Sequence, residues 1–247
     1  MKKEKGHNLL SLVSLYTGYT FQKLTLIIFI MSLVLMTGFL VLLSNPNISM
    51  DIYYNSSDDI HINYLSQGTF IIQLFNSIII ATMTISLIIN AITFDSLFIS
   101  YTSRNKIAIS KVIVVLVIML LLTLFETLIL HFIPVLVYSK YQIDIKDILG
   151  FLYLYSYTII EAFFSILVTM ILPSVITPMI SIFMFIVVRL LSNNITDVKN
   201  ITKQILPIIE VNSSKLVCET IYLAPIWCIL IVLLYISIYN IKDLKQN

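Results

Sequence analysis

The chain has 247 residues, of which 59% are hydrophobic and 11% charged, with a net charge of +2 and a mean hydropathy of +0.99. Ordinary soluble domains carry about 25% charged residues, so this composition excludes a soluble globular protein; spans of about 20 apolar residues fit the chain six times and leave no room for a large soluble domain. The fifteen Lys and Arg residues are scattered, which excludes the phosphate-neutralising face of a nucleic-acid binder.

In chain order, residues 8–23 come first, placing Leu9, Leu12, Val13, Tyr16 and Tyr19 at helical spacing with polar residues between them. This pattern predicts an interfacial helix, residues 1–23 as a unit, lying on lipid and held by Lys2, Lys3, Lys5 and Lys23. Gly18 stands where a bend into the first span is expected. The uncharged run 24–43 is followed by Asn45-Pro46-Asn47 rather than a small-residue cleavage site, so an uncleaved first span is predicted. The second span is expected over 70–94, stopped by Asp95, and the third over 112–137. Between them, residues 95–111 form a cationic link longer than a turn requires, with Leu97, Phe98 and Tyr101 predicted on one side of a short amphipathic helix. Residues 148–172 form the fourth predicted span, and Pro173 and Pro178 punctuate the tight turn into a fifth at 174–191. A longer polar segment, 192–220, mixes Ile201, Ile205, Leu206, Ile208 and Ile209 with Lys203, Gln204, Pro207 and Glu210, and predicts short amphipathic pieces dipping toward the membrane. Residues 221–240 complete six spans.

Lys and Arg near short loops stay in the cytoplasm. With both termini inside, that side holds nine of the fifteen basic residues: Lys2, Lys3, Lys5, Lys23, Arg104, Lys106, Lys111, Lys242 and Lys245. The 44–69 loop, which has Asp51, Asp58 and Asp59 and no base, falls outside.

Catalytic chemistry has little to stand on. No phosphate-binding loop, dinucleotide fingerprint, HExxH or GxSxG string is present, and five dispersed glycines cannot build a phosphate cradle. Cys218 and Cys228, ten residues apart on what reads as one helix, would stand about 15 Å from each other, too far for a disulfide, and no metal-ligand spacing occurs. The chain is therefore expected to be no enzyme and to hold no metal or cofactor of its own. Ionisable groups inside hydrocarbon are costly and mark function by default, which singles out Glu126, His131, Glu161 and Arg189. By helix rise, Glu126 lies about 22 Å and Arg189 about 24 Å above the inner boundary, so an ion pair between them is expected, with Glu161 facing a bundle interior or a subunit interface. His131 points about 140° away from Glu126 and forms no relay with it.

This order of features resembles the membrane subunits of ABC-2 type exporters. It runs from an amphipathic helix through two spans to the link Phe94-Asp95…Ser103-Arg104-Asn105-Lys106…Lys111, then through three spans, an outer segment and a last span ending Tyr239-Asn240-Ile241-Lys242-Asp243-Leu244. The small size and Ile/Asn/Lys bias are similar to the peptide-exporter and lantibiotic-immunity members in low-GC Gram-positive bacteria. The resemblance implies an all-α polytopic protein of the bacterial plasma membrane, one transmembrane domain over 1–247, with a coupling helix and outer re-entrant helices at 192–220. It implies pairing with a second permease, equal or unequal, and docking on a dimer of ABC ATPase subunits that bind the ATP and Mg²⁺. Asp95, Leu97, Phe98, Tyr101, Arg104, Asn105 and Lys106 are then the ATPase-coupling residues. An amphipathic peptide would enter laterally past walls bearing Thr82, Thr84, Ser86, Ser174, Thr177 and Ser181. A non-transporting immunity protein and a secondary transporter remain open beside this reading.

Overall fold

The computed structural model describes residues 8–44, 57–91, 95–96, 99, 102–137, 145–194, 210–212, 215–217 and 222–241. These residues form helices α1 (Leu9–Thr20), α2 (Lys23–Leu43), α3 (Ser57–Thr84), α4 (Arg104–Val137), α5 (Ile145–Ile171), α6 (Ile176–Asn194) and α7 (Leu223–Ile241), and a short hairpin, β1 (Glu210–Asn212) and β2 (Lys215–Val217). Five helical stretches are long and apolar enough to cross a membrane: Lys23–Leu43, Gln67–Asn90, Arg104–Leu136, Gly150–Ile171 and Leu223–Ile241. The predicted fifth span, 174–191, is present as α6, but its apolar part is Ile176–Val188, roughly 20 Å of helix against a hydrocarbon core of about 30 Å.

The apolar runs end up in the expected helices, and the polar residues beside them extend those helices. Helix α3 begins at Ser57, well inside the predicted 44–69 loop, and α4 begins at Arg104, inside the predicted 95–111 link. Ser103 accepts the amides of Lys106 and Ile107 on its backbone carbonyl at 3.0 and 3.3 Å, the position of an N-cap. Before α6, just after Pro173, the side-chain hydroxyl oxygen of Ser174 accepts the Ile176 amide at 3.3 Å. The bend between α1 and α2 falls at Phe21–Gln22 rather than at Gly18, which lies inside α1. Helix α7 starts at Leu223, so Cys218 precedes the helix that carries Cys228. In the 192–220 segment the described residues beyond α6 are the hairpin, with Glu210 opposite Val217 and Asn212 opposite Lys215. Val211 and Val217 have the branched side chains that strands favour, and the rest of the expected re-entrant segment, 195–209, 213–214 and 218–220, lies outside the described residues.

Helix α5 is the hub, packed against α3, α4, α6 and α7. Two apolar clusters form along it. One joins α1, the end of α3, the first half of α4, the second half of α5 and α7, through residues such as Leu12, Leu87, Met119, Phe163 and Ile231. The other gathers Met36, Leu40, Leu65, Ile72, Leu130 and Leu154. Helix α2 buries only Ser32, Met36 and Leu40 and exposes Leu24, Ile27, Met31 and Val34 on the rest of its surface, a composition suited to hydrocarbon. Hydroxyls within the helices donate to the carbonyl one turn back, as Thr37, Thr69, Thr123 and Thr169 do, which satisfies them without water.

Gly68 sits where α2, α3 and α4 converge: a Cβ there would meet Leu130 Cδ1 at 2.7 Å and Leu40 Cδ2 at 3.1 Å, whereas one at Gly38 meets nothing within 4 Å. Replacing Gly68 by Val should lower stability in detergent by about 1–3 kcal/mol, the usual cost of overpacking. Gly38→Ala should be neutral or stabilising by a few tenths of a kcal/mol up to about 1. Thermal unfolding of the two variants side by side checks the contrast.

Candidate functional site

Two polar centres interrupt the apolar bundle. The first lies where α1 meets the ends of α3 and α7 and the start of α4. After Thr84 the helix widens into a π-helical turn, Ile85–Asn90. A π turn shifts the hydrogen-bond register and lets carbonyls face neighbouring elements. The Leu87 carbonyl accepts a hydrogen bond from Lys111 Nζ at 2.7 Å, and the Asn90 carbonyl accepts one from the Tyr19 hydroxyl at 3.3 Å. Ser86 donates to the Tyr19 carbonyl at 3.0 Å. Lys111 Nζ also forms a 2.5 Å ion pair with Asp95 Oδ2, and the Tyr16 hydroxyl donates to Asp95 Oδ1 at 2.5 Å. The ammonium stands over two aromatic rings, Tyr16 at 5.0 Å and Tyr239 at 5.4 Å, which desolvated sites make favourable. Asp95 is 1% exposed and Lys111 2%. Burial, and after it the charge of Asp95, pushes the Tyr16 hydroxyl far above its ordinary range, so it remains a donor to the carboxylate.

This arrangement changes the reading of the link. Asp95, expected on a docking surface, and Lys111, expected at the lipid–water boundary, are both interior and paired. The face of α1 bearing Leu12, Tyr16 and Thr20 is buried against protein rather than lying on the leaflet. Leu97, Phe98 and Tyr101 lie outside the described residues. Arg104 is half-buried and donates to the Asn240 carbonyl at 2.9 Å, and Asn240 Nδ2 donates to Asn105 Oδ1 at 2.6 Å, tying the start of α4 to the end of α7. Asn105 and Lys106 are exposed.

The second centre lies between the two apolar clusters, about fifteen residues along α4 from Lys111. Helix α3 contributes the buried seam Thr69, Gln73, Asn76, Ser77 and Thr84, α4 contributes Thr123, Glu126 and Thr127, and α5 contributes Thr158 and Glu161. Asn76 Nδ2 donates to Glu126 Oε2 at 3.0 Å, and Ser77 Oγ lies 2.7 Å from Glu161 Oε1. Glu161 is within electrostatic range of Glu126. The structure thus brings Glu126 and Glu161 together on adjacent residues of α3, with Asn76 as the partner of Glu126. Arg189, the expected partner, lies on α6 with its side chain outside the described residues. His131 is buried on α4. Thr84, Ser86, Thr177 and Ser181 are buried within the bundle rather than lining an open wall, and Ser174 is an exposed cap. The α3 seam escaped the sequence reading because its members are uncharged; its signal was the 69, 73, 76, 77 spacing of polar residues inside a span.

No group of three or more His, Cys, Asp or Glu side chains suited to a metal occurs among the described residues. Searches against protein-family models, curated proteins and solved structures return no match.

Removing one partner of a buried ion pair strands the other charge, at a cost of about 3–5 kcal/mol, while removing both is far milder. Asp95→Asn and Lys111→Met should each destabilise the protein by that order. The double variant should recover much of the loss, and Tyr16→Phe should cost about 1–3 kcal/mol through the donor taken from Asp95. Thermal unfolding of the native protein and the four variants in one detergent measures the coupling, and additive losses would contradict the pair.

Proposed function

We propose that the chain is the permease subunit of an ATP-driven ABC exporter that moves an amphipathic peptide, or a similarly hydrophobic substrate, out of a bacterial cell. The observation that supports this most is the fastening of the 95–111 link. Its two ends are joined by the Asp95–Lys111 pair, α1 is clamped onto that pair by Tyr16, and α4 is tied to α7 through Arg104, Asn105 and Asn240. Exposed residues of the link, Ser96, Ser103, Asn105 and Lys106, project from this braced base. A force applied to them reaches α1, α3, α4 and α7 together, which is what a coupling element requires.

In this reading α6 completes six spans, both termini face the cytoplasm of a plasma-membrane protein, and a second permease, identical or not, pairs with this one. ATP and Mg²⁺ are bound by a separate ATPase dimer, and the chain itself performs no catalysis. Leu97, Phe98 and Tyr101 supply the apolar side of the docking segment, and Asp95 acts from within by holding that segment to the bundle. Nucleotide-driven closure of the ATPases presses on the link and rocks the two bundles so that substrate leaves outward.

Affinity purification of the detergent-solubilised chain from its native membranes tests the reading. An ABC ATPase, identified by mass and by ATP hydrolysis, should accompany the native protein and be lost when residues 96–106 are scrambled with Asp95 and Lys111 retained. An ATPase retained after scrambling, or none with the native chain, would defeat the coupling role.

A further inference from the structure

The π turn at Ile85–Asn90 continues α3, and the chain makes α-type hydrogen bonds again beyond it. There the Asp95 amide donates to the Ala91 carbonyl at 2.8 Å and the Ile99 amide to the Asp95 carbonyl at 2.9 Å, each four residues back. A π turn takes in one more residue than an α turn, since its bonds run from i to i+5. Three side-chain bonds engage this one: Lys111 of α4 donates to the Leu87 carbonyl, Tyr19 of α1 to the Asn90 carbonyl, and Ser86 of the turn itself to the Tyr19 carbonyl. In an α-helix the Leu87 carbonyl would be taken by the amide of Ala91, four residues on. That amide donates instead to the Ile89 carbonyl, only two residues back. Donor and acceptor of the missing α bond are thus both in place, and Lys111 occupies the acceptor. If Lys111 is drawn away, the Ala91 amide can satisfy the Leu87 carbonyl from its own helix, so the turn can close without stranding a buried backbone group.

We propose that Ile85–Asn90 is a two-state joint, π while Lys111 holds the Leu87 carbonyl and α once Lys111 leaves it. Closing the turn to α advances the helix register by one residue, which rotates everything beyond it by about 100° and shifts it by about 1.5 Å along the axis. Asp95 is carried on the far arm through its bond to Ala91. It therefore turns away from the face on which Lys111 and Tyr16 meet it, and the ion pair and the π form are made and broken together. Helix α1 touches both ends of the turn, at Ser86 and at Asn90, so it loses its hold on the Asn90 end in the same step. The joint converts the withdrawal of one ammonium group into a rotation of the 95–103 link. It is indifferent to what draws on the link, and so does not depend on the exporter reading.

The test reads the position of the link by pulsed dipolar spectroscopy of the full chain in lipid nanodiscs, with Cys218 and Cys228 changed to Ser. One spin label sits at Ser96→Cys, exposed on the link, and the other at Ile171→Cys or Ile241→Cys, exposed at the ends of α5 and α7. The native chain should give one distance for each label pair. Asp95→Asn/Lys111→Met, which strands no charge, should move at least one of the two distances by about 5–8 Å, the displacement of a helix surface turned through 100°. Deleting Ile89 from that variant should bring the distance back, because an α turn one residue shorter places the link where the longer π turn did. Unchanged distances in the double variant overturn the joint. So does a change that the deletion fails to reverse, which is the mark of a link merely loosened. If the double variant does not fold, deleting Ile89 should restore folding, and its failure to do so overturns the proposal.

Discussion

The pairing of Asp95 with Lys111 in an apolar interior is the constraint on which the α1 end of this bundle depends. Each charge loses several kcal/mol of hydration on burial, and the pair is tolerable only when the remaining hydrogens and lone pairs are also matched. Tyr16 supplies the hydroxyl for the second carboxylate oxygen, the π turn supplies the Leu87 carbonyl, and the rings of Tyr16 and Tyr239 accept the rest of the ammonium charge. A regular α-helix through residue 87 would spend that carbonyl on its own ladder. The widened turn, the position of α1 against the bundle, the entry angle of α4 and the arrival of α7 are therefore consequences of a single requirement.

Above that base the bundle is organised in tiers. An apolar cluster surrounds the pair, a polar layer follows, and a second apolar cluster closes the far half. Helix α5 touches every tier and packs against four helices, while α2 and α7 turn broad apolar faces outward. Apolar side chains facing hydrocarbon gain little by associating, so the interior of such a bundle is specified by close packing, as at Gly68, and by hydrogen bonds between helices.

The spans were legible because twenty apolar residues without charge admit few other structures in a protein. Helix ends were less so: Ser57 to Thr69 and Arg104 to Lys111 are polar enough to read as connection, yet backbone hydrogen bonding carries the helix through them. The apolar run 174–191 looked like a full span, but among the described residues its apolar helix is Ile176–Val188, with Arg189 directly after it. Glu126 and Glu161 announced themselves as charges within spans. Depth along an axis does not reveal which face a residue occupies, however, so the level match with Arg189 gave no hint of Asn76, which donates to Glu126 Oε2. The Asp95–Lys111 pair was hidden for another reason: counting Lys111 with the cytoplasmic cations assumes that a basic residue beside a span is wet. The approach of Asp95 to Lys111 is a tertiary event with no periodic signature.

Helix α4 links the two polar centres. Lys111 and Glu126 are fifteen residues apart, about 22 Å of rise and about 60° of rotation, so both reach toward the same neighbour. That neighbour is α3 with the π turn that continues it, through Leu87 of the turn at one level and Asn76 of α3 at the other. The contacts between those levels, Val114, Val115, Ile118, Met119 and Leu122, are apolar and indifferent to a small axial slide. Hydrogen bonds are not, because they weaken steeply as distance and angle depart from their optimum. The register of α3 on α4 is consequently held at two points, and shifting it means breaking both at once. A push delivered at the link would therefore move α3 and α4 as one body, with α1 attached through Tyr16.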